Sequence, residues 1–150
     1  MEWQNSFNIG IDVIDAQHRQ ILEYINILED ILQTHDQSKT ADVLNDLIDY
    51  TQSHFTFEEN LQQQVHYEYA TPHKCIHDLF ISKLALYQTR FNEGKLIDKD
   101  LHNFLSKWLI NHIQHDDMDY VDAVRDNMLS YIRQQEAKKG RGWFSRFFKK

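Results

Sequence analysis

Two short steps in the middle of the chain could do chemistry. His54-Phe-Thr-Phe-Glu58 sets an imidazole and a carboxylate four residues apart, and His73-Lys-Cys-Ile-His77 repeats the step with two imidazoles. On a helix, residues four apart share a face one turn apart. His112-Ile-Gln-His-Asp-Asp117 supplies a further histidine with carboxylates after it, and His18 lies upstream inside a long apolar pattern. Five imidazoles and Glu58 meeting in one core without a metal would leave donors unpaired and a charge buried, which is costly. With a carboxylate from the Asp116-Asp117 pair the set reaches seven, more than the four ligands or so of a tetrahedral zinc site. Mixed imidazole and carboxylate ligation suits iron, manganese or zinc, and carboxylates bridge metals. The pattern therefore points to a two-metal centre.

Spacing leaves the last carboxylate open. From His112 the four-residue step lands on Asp116, which spacing alone favours. Asp117 is five on, about 140° further round an ideal helix. For Asp117 to be a ligand, the helix must end or bulge there. The chain has neither the Glu-x-x-His step of carboxylate-rich di-iron bundles nor the His-Glu-x-x-His of zinc proteases. A histidine-rich, mostly neutral donor set leans toward reversible ligand binding rather than oxygenation. His35, His66, His102 and His115 fall at ends, links or outward positions and read as surface residues.

The elements that must carry these residues are helical. Only 4 glycines and 1 proline interrupt 150 residues, a poverty of turn-makers that favours helices. After an aromatic lead-in over 1–11, Ile14, His18, Ile21, Leu22, Ile25, Leu28 and Leu32 make a core-facing stripe on a first helix running from Asp12 or Asp15 to about His35. Ser38 or Thr40 is expected to cap a second helix, which runs to about Val65 with His54 and Glu58 inward. Thr71 as N-cap with Pro72 at the first helical position starts a third, which Gly94 closes. Asp98 or Asp100 caps a fourth, with Leu101, Leu105, Trp108, Leu109, His112 and Ile113 inward. Tyr120, Val121, Val124, Met128, Leu129 and Ile132 resume the pattern as a continuation or a short fifth helix. The expected fold is all-α: an up-down-up-down four-helix bundle with a non-helical N-terminal arm and a C-terminal helical extension. Its divisions are 1–120 for the bundle, 121–137 for the extension and 138–150 for a tail.

Charge narrows the class further. The net charge is -7 over 16 basic and 23 acidic residues, but all six charged residues of 138–150 are basic. The body is therefore more acidic than the total, which argues against nucleic acid as a partner. A single cysteine, Cys75, rules out an internal disulfide framework and suits a reducing compartment. It lies two residues from each of two histidines and is turned away from them. No basic region followed by an apolar run opens the chain, so no signal peptide is expected, and the body reads as cytoplasmic. In the tail, Trp143, Phe144, Phe147 and Phe148 would form one helical face flanked by lysine and arginine. Such a segment suits an anionic membrane surface, here the inner face, or a partner's groove.

At these residues the chain resembles the bacterial hemerythrins. The resemblance covers residues 3 to about 120: Trp3, Gly10-Ile11, Ile14-Asp15, Gln17-His18, His54-Phe55, Glu58-Glu59, His73, His77 with Phe80, Trp108-Leu109, His112-Ile113, Asp117 and Tyr120. It implies two iron ions (Fe2+/Fe3+) bridged by Glu58, Asp117 and an oxo or hydroxo group. His73, His77 and His112 would close one iron, and His18 and His54 would hold the other, leaving a position for O2. The resemblance favours Asp117 over Asp116 and so requires a helix break near it. Phe55, Leu22, Leu109 and Ile113 are candidates for a dry O2 pocket. One departure is Gln62, where the family commonly has methionine, one turn from Glu58. The implied function is reversible O2 binding rather than catalysis. The alternatives are a di-iron enzyme reducing peroxide or nitric oxide, and an O2 or redox sensor acting through the tail.

Overall fold

The computed structural model describes residues 1–139. The basic aromatic stretch beyond them, and with it most of the segment expected to meet a membrane or partner, lies outside the described residues. Helix α1 spans Asp12–Thr34, α2 Gln37–Gln64, α3 Ala70–Asn92, α4 Asp98–Asn111 and α5 Met118–Lys139. A six-residue π-helical segment, His112–Asp117, joins α4 to α5. The fold is all-α, a four-helix bundle. Among the described residues no helix is long and apolar enough to cross a membrane.

α1 packs on α2 and α4, and α2 packs on α3. Aromatic rings help close the remaining side, where Phe80 of α3 lies 4.1 Å from Trp108 and 5.5 Å from Phe104 of α4, centroid to centroid. Ile21, Ile25, Leu28, Leu44, Leu47, Leu84, Leu101 and Leu105 fill the interior at one end, all with about 1% exposure or less. Each such side chain contributes roughly 1.5–3 kcal/mol by leaving water. That aliphatic end anchors the helices that carry a polar layer at the other.

The N-terminal arm is extended save for one 3-10 turn at Asn5–Phe7. It reaches α1 through Gly10 at φ +83°, a left-handed conformation that favours glycine. Asp15, in the first turn of α1, receives the N–H groups of Ile9 at 2.8 Å and Gly10 at 3.1 Å. Asp15→Ala leaves both donors without that acceptor. It is expected to lower stability by about 3 kcal/mol, read as a lower urea midpoint at unchanged slope.

Helix starts depart from the sequence expectations in instructive ways. Asp36, not Ser38 or Thr40, caps α2, its carboxylate accepting from the N–H groups of Ser38 and Lys39. Thr40 is instead buried one turn inside, its hydroxyl bonded back to the Asp36 carbonyl. α3 begins at Ala70 rather than after Thr71, and Pro72 sits within the first turn. A proline costs little there because first-turn N–H groups have no intrahelical acceptor. Asp98 opens α4 without capping it; its buried carboxylate meets Nδ1 of His35, the left-handed C-cap of α1. His35 is thus tethered, although its ring remains exposed. At the end of α3, Gly94 takes φ +78° and donates to Phe91, as its sequence position suggested.

Candidate metal centre

Four helical segments converge on the polar layer. α1 supplies His18, α2 supplies His54 and Glu58, α3 supplies His73 and His77, and the π segment supplies His112 and Asp117. All seven are buried, none more than 4% exposed. His35, His66 and His115 remain exposed, whereas His102 is half-buried.

The geometry is that of donors aimed at shared points. Oε2 of Glu58 lies 3.2 Å from Nε2 of His77, 3.6 Å from that of His54, 3.8 Å from that of His73 and 3.9 Å from that of His112. Asp117 divides its oxygens: Oδ2 faces Nε2 of His18 at 3.1 Å, while Oδ1 faces His112 at 3.1 Å and His73 at 3.3 Å. Two sets of donor atoms lie close enough together to hold one ion each. The first is Glu58, His73, His77 and His112; the second is His18, His54 and Glu58. Nε2 of His77 and Nε2 of His112 approach to 3.3 Å.

Partners on the outer side aim these rings. Nδ1 of His54 pairs with Oε1 of Gln17 at 2.8 Å, Nδ1 of His77 with Glu59 at 3.0 Å and Nδ1 of His112 with Asp116 at 3.0 Å. Holding Nδ1 as the N–H leaves Nε2 with its lone pair inward, the arrangement that metal-ligating histidines use. Asp116, which spacing alone favoured as a ligand, here orients His112. The π segment makes both roles possible, since its wider turn brings Asp117 back to the inner face. Phe55 stacks on His77 at 3.9 Å with planes 8° apart, and Trp108 stacks on His112 at 4.2 Å. Tyr120 donates its hydroxyl to Oε1 of Glu58 at 2.5 Å. Its place on the inner stripe was visible in sequence; its bond across helices was not.

Electrostatics follow from this crowding. Burial works against the charged form of His73, yet Asp117 and Glu58 raise it to about 9. Burial also opposes His112, and Asp117, Asp116 and Glu58 still raise it to about 10. His54 shows the opposite outcome, with burial lowering it to about 4. Burial and the Glu58 charge push Asp117 up, but His112, His18 and His73 bring it down to about 2. Burial likewise raises Glu58, and the surrounding imidazoles, His54 foremost, hold it well below the usual range. In the metal-free layer the Glu58 and Asp117 carboxylates therefore favour the charged forms of His73 and His112.

That balance still leaves valences unfilled. Although many of them face one another at ion-pair distance, both ring nitrogens of His18, Nε2 of His54 and of His73, Oε2 of Glu58 and both oxygens of Asp117 are buried without an aligned hydrogen bond. Unpaired buried donors and acceptors of this kind are rare in native proteins. Nitrogen and oxygen atoms aimed at two common points fit a pair of cations. Gln62 is also fully buried, and neither atom of its amide has a partner. Among the pocket candidates, Phe55, Leu22, Leu109 and Ile113 are each 3% exposed or less. Cys75 is exposed, away from the layer.

Comparison with known proteins places the chain in a family. Residues 9–124 match the family model described as the Hemerythrin HHE cation binding domain. A Bacteriohemerythrin of Pseudomonas paraeruginosa is 44% identical over 148 residues, covering 99% of this chain and 95% of that protein. One from Stenotrophomonas maltophilia is 39% identical over the same shares. A crystal structure of wild-type hemerythrin superposes with a TM-score of 0.78 at 32% identity, covering 83% of this chain and 97% of that one. With its family model matched across the bundle and a layer of converging histidines and carboxylates inside it, the chain belongs to the hemerythrin family.

Proposed function

We propose that His18, His54, Glu58, His73, His77, His112 and Asp117 hold two iron ions, bridged by Glu58, Asp117 and an oxo or hydroxo group, and that the pair binds O2 reversibly. The observation that carries this reading is the asymmetry of the donor sets. Around Glu58, three imidazoles gather on one side and two on the other. The less crowded side, at His18 and His54, is where an exogenous ligand finds room. A ferrous pair, when bound, supplies the electrons that hold O2.

The chain's own residues do the rest. Gln17, Glu59 and Asp116 hold the Nδ1 side of His54, His77 and His112, so each ring, in its metal-bound form, turns its Nε2 lone pair inward. Tyr120 holds one oxygen of Glu58 and leaves the other to face the layer. Buried Leu22, Leu109, Ile113 and Phe55 exclude water around it, which disfavours charge separation at the bound gas. With two carboxylates among seven donors, the set supports binding rather than turnover.

Loading should release protons. His73 and His112, raised to about 9 and about 10, must each give one up to become ligands. Filling the site at pH 7 is expected to release roughly two protons from them, measured with an indicator dye in weak buffer. Linkage also fixes a sign for the metal-free chain. Both folded values exceed the unfolded value of about 6.5, so their stabilising share is complete below that pH. It is lost as pH rises through about 9 to about 10, measured as a falling melting temperature in chelator.

Oxygen cycling tests the function. Adding O2 to the iron-loaded, reduced protein should produce a stable visible charge-transfer band that argon removes, over repeated cycles. Sustained consumption of peroxide or nitric oxide, with no reversible band, would replace binding by catalysis.

A further inference from the structure

One side of the bundle carries a feature that O2 binding does not use. A surface cleft of about 490 Å³ is lined by Tyr67, Tyr69, Pro72, Ile76, Asp116 and Asp119, with His73 among its walls. His73 belongs to the crowded donor set, with Glu58, His77 and His112. A ligand entering here would meet the side with least room. Something other than O2 has reason to approach it.

A line of rings leads inward from the cleft. Tyr69 is 57% exposed, whereas Tyr120 is fully buried. Tyr67 stands between them, 5.9 Å from Tyr69 and 6.0 Å from Tyr120, both edge-on. Tyr120 lies 5.4 Å from His73, and its hydroxyl ends on Glu58 at 2.5 Å. Surface and centre are thus joined by rings at near-contact spacing. Electron tunnelling falls off exponentially with distance, so such a line marks a short route.

The rim is charged with one sign. Asp116 and Asp119 line the cleft, and none of the lining residues is lysine or arginine. Glu68, between Tyr67 and Tyr69 in sequence, is exposed. Burial raises the Tyr67 phenol, and the charges of Asp119, Asp116 and Glu68 raise it further. An aromatic floor with an acidic rim complements a cationic face carrying a redox group.

We propose that this cleft docks a one-electron donor protein with a cationic face, and that Tyr67 and Tyr120 with His73 couple the donor to the metal pair. The proposal rests on reading that pair as iron. Each encounter oxidises the donor by one electron and reduces one ferric ion to ferrous. Two encounters return an oxidised pair to the state that binds O2. Electrons would then enter at the crowded side and gas at the open side, with neither blocking the other.

Two probes test it on the oxidised, iron-loaded protein. Hexaamminechromium(III), a paramagnetic cation, should broaden the amide signals of Glu68, Tyr69 and Asp119 more than those of other acidic faces, and salt should abolish the effect. Hexaammineruthenium(II), a cationic one-electron reductant, should reduce the protein at a rate that falls with ionic strength. E68Q with D119N should slow that reduction severalfold and speed reduction by the anionic iron(II)–EDTA complex, a crossing of sign that structural damage would not produce. Tyr67→Leu should slow reduction by the ruthenium complex while leaving the broadening in place.

Broadening concentrated elsewhere, or rates unchanged in E68Q with D119N, would overturn the docking site. An unchanged rate in Tyr67→Leu would overturn the route. Stronger broadening after truncation beyond Ala137 would make the chain's own basic tail the occupant and overturn an external donor. Broadening reads the docking face whatever the pair does with O2, so failure of oxygenation and failure of docking are separate results.

Discussion

Glu58→Gln should leave a folded protein that no longer holds two metals. Glu58 is the one residue in both donor sets, and its Oε2 lies within 3.9 Å of four imidazoles. Glutamine keeps the shape and an oxygen for the Tyr120 hydroxyl, but replaces the shared carboxylate with an amide. Iron content is expected to fall from about two per chain to below one, since a bridging anion cannot be replaced from the outer partners. Glu58→Ala should do the same and also destabilise the metal-free chain. Truncation strands the protons on His73 and His112, and breaking a buried pair costs about 3–5 kcal/mol. Iron analysis with chemical unfolding separates the two effects. Retention of two irons by Glu58→Gln would refute the shared-carboxylate assignment.

The second large effect distinguishes neighbouring aspartates. Asp117→Asn should lose two-metal occupancy, because Asp117 is buried with both oxygens facing the layer and no other partner. Asp116→Asn should keep both metals and weaken their affinity by about 10–100-fold, the usual cost of losing a partner behind a ligating histidine. Asp116 touches only the outer nitrogen of His112 within the site, at 3.0 Å. Competition with a chelator of known affinity ranks the two variants. The reverse ranking would return the ligand role to Asp116, where helical spacing had placed it.

That contrast shows how far the sequence could be read. Stripes of period near 3.6 identified the helices and turned His18, His54, His73, His77 and His112 inward, because apolar neighbours on each stripe fix its orientation. The π segment left a fainter mark. From Leu105 to Val124, both buried, an unbroken helix would turn about 100° out of register, which one extra residue corrects. A break near Asp117 was expected from family resemblance. Its form, a bulge running straight on into α5, needed the backbone.

Helix starts were less legible because several residues compete for them. Asp36, Ser38 and Thr40 can all cap, and only in the folded chain does the Asp36 carboxylate prove to reach two N–H groups. Outer partners were hidden for a different reason. Gln17 and His54 are 37 residues apart, and Glu59 and His77 are 18 apart. Their pairing depends on how helices cross, which no local pattern encodes. The Gln62 departure was visible, and its complete burial without a partner was not.

Diffraction from crystals of the iron-loaded protein, recorded at the iron absorption edge, tests the central assignment most directly. Two anomalous peaks are predicted, both touching Glu58 and Asp117. His73, His77 and His112 should surround one, and His18 and His54 the other. A single peak, or density joining Asp116 rather than Asp117 to a metal, would contradict it.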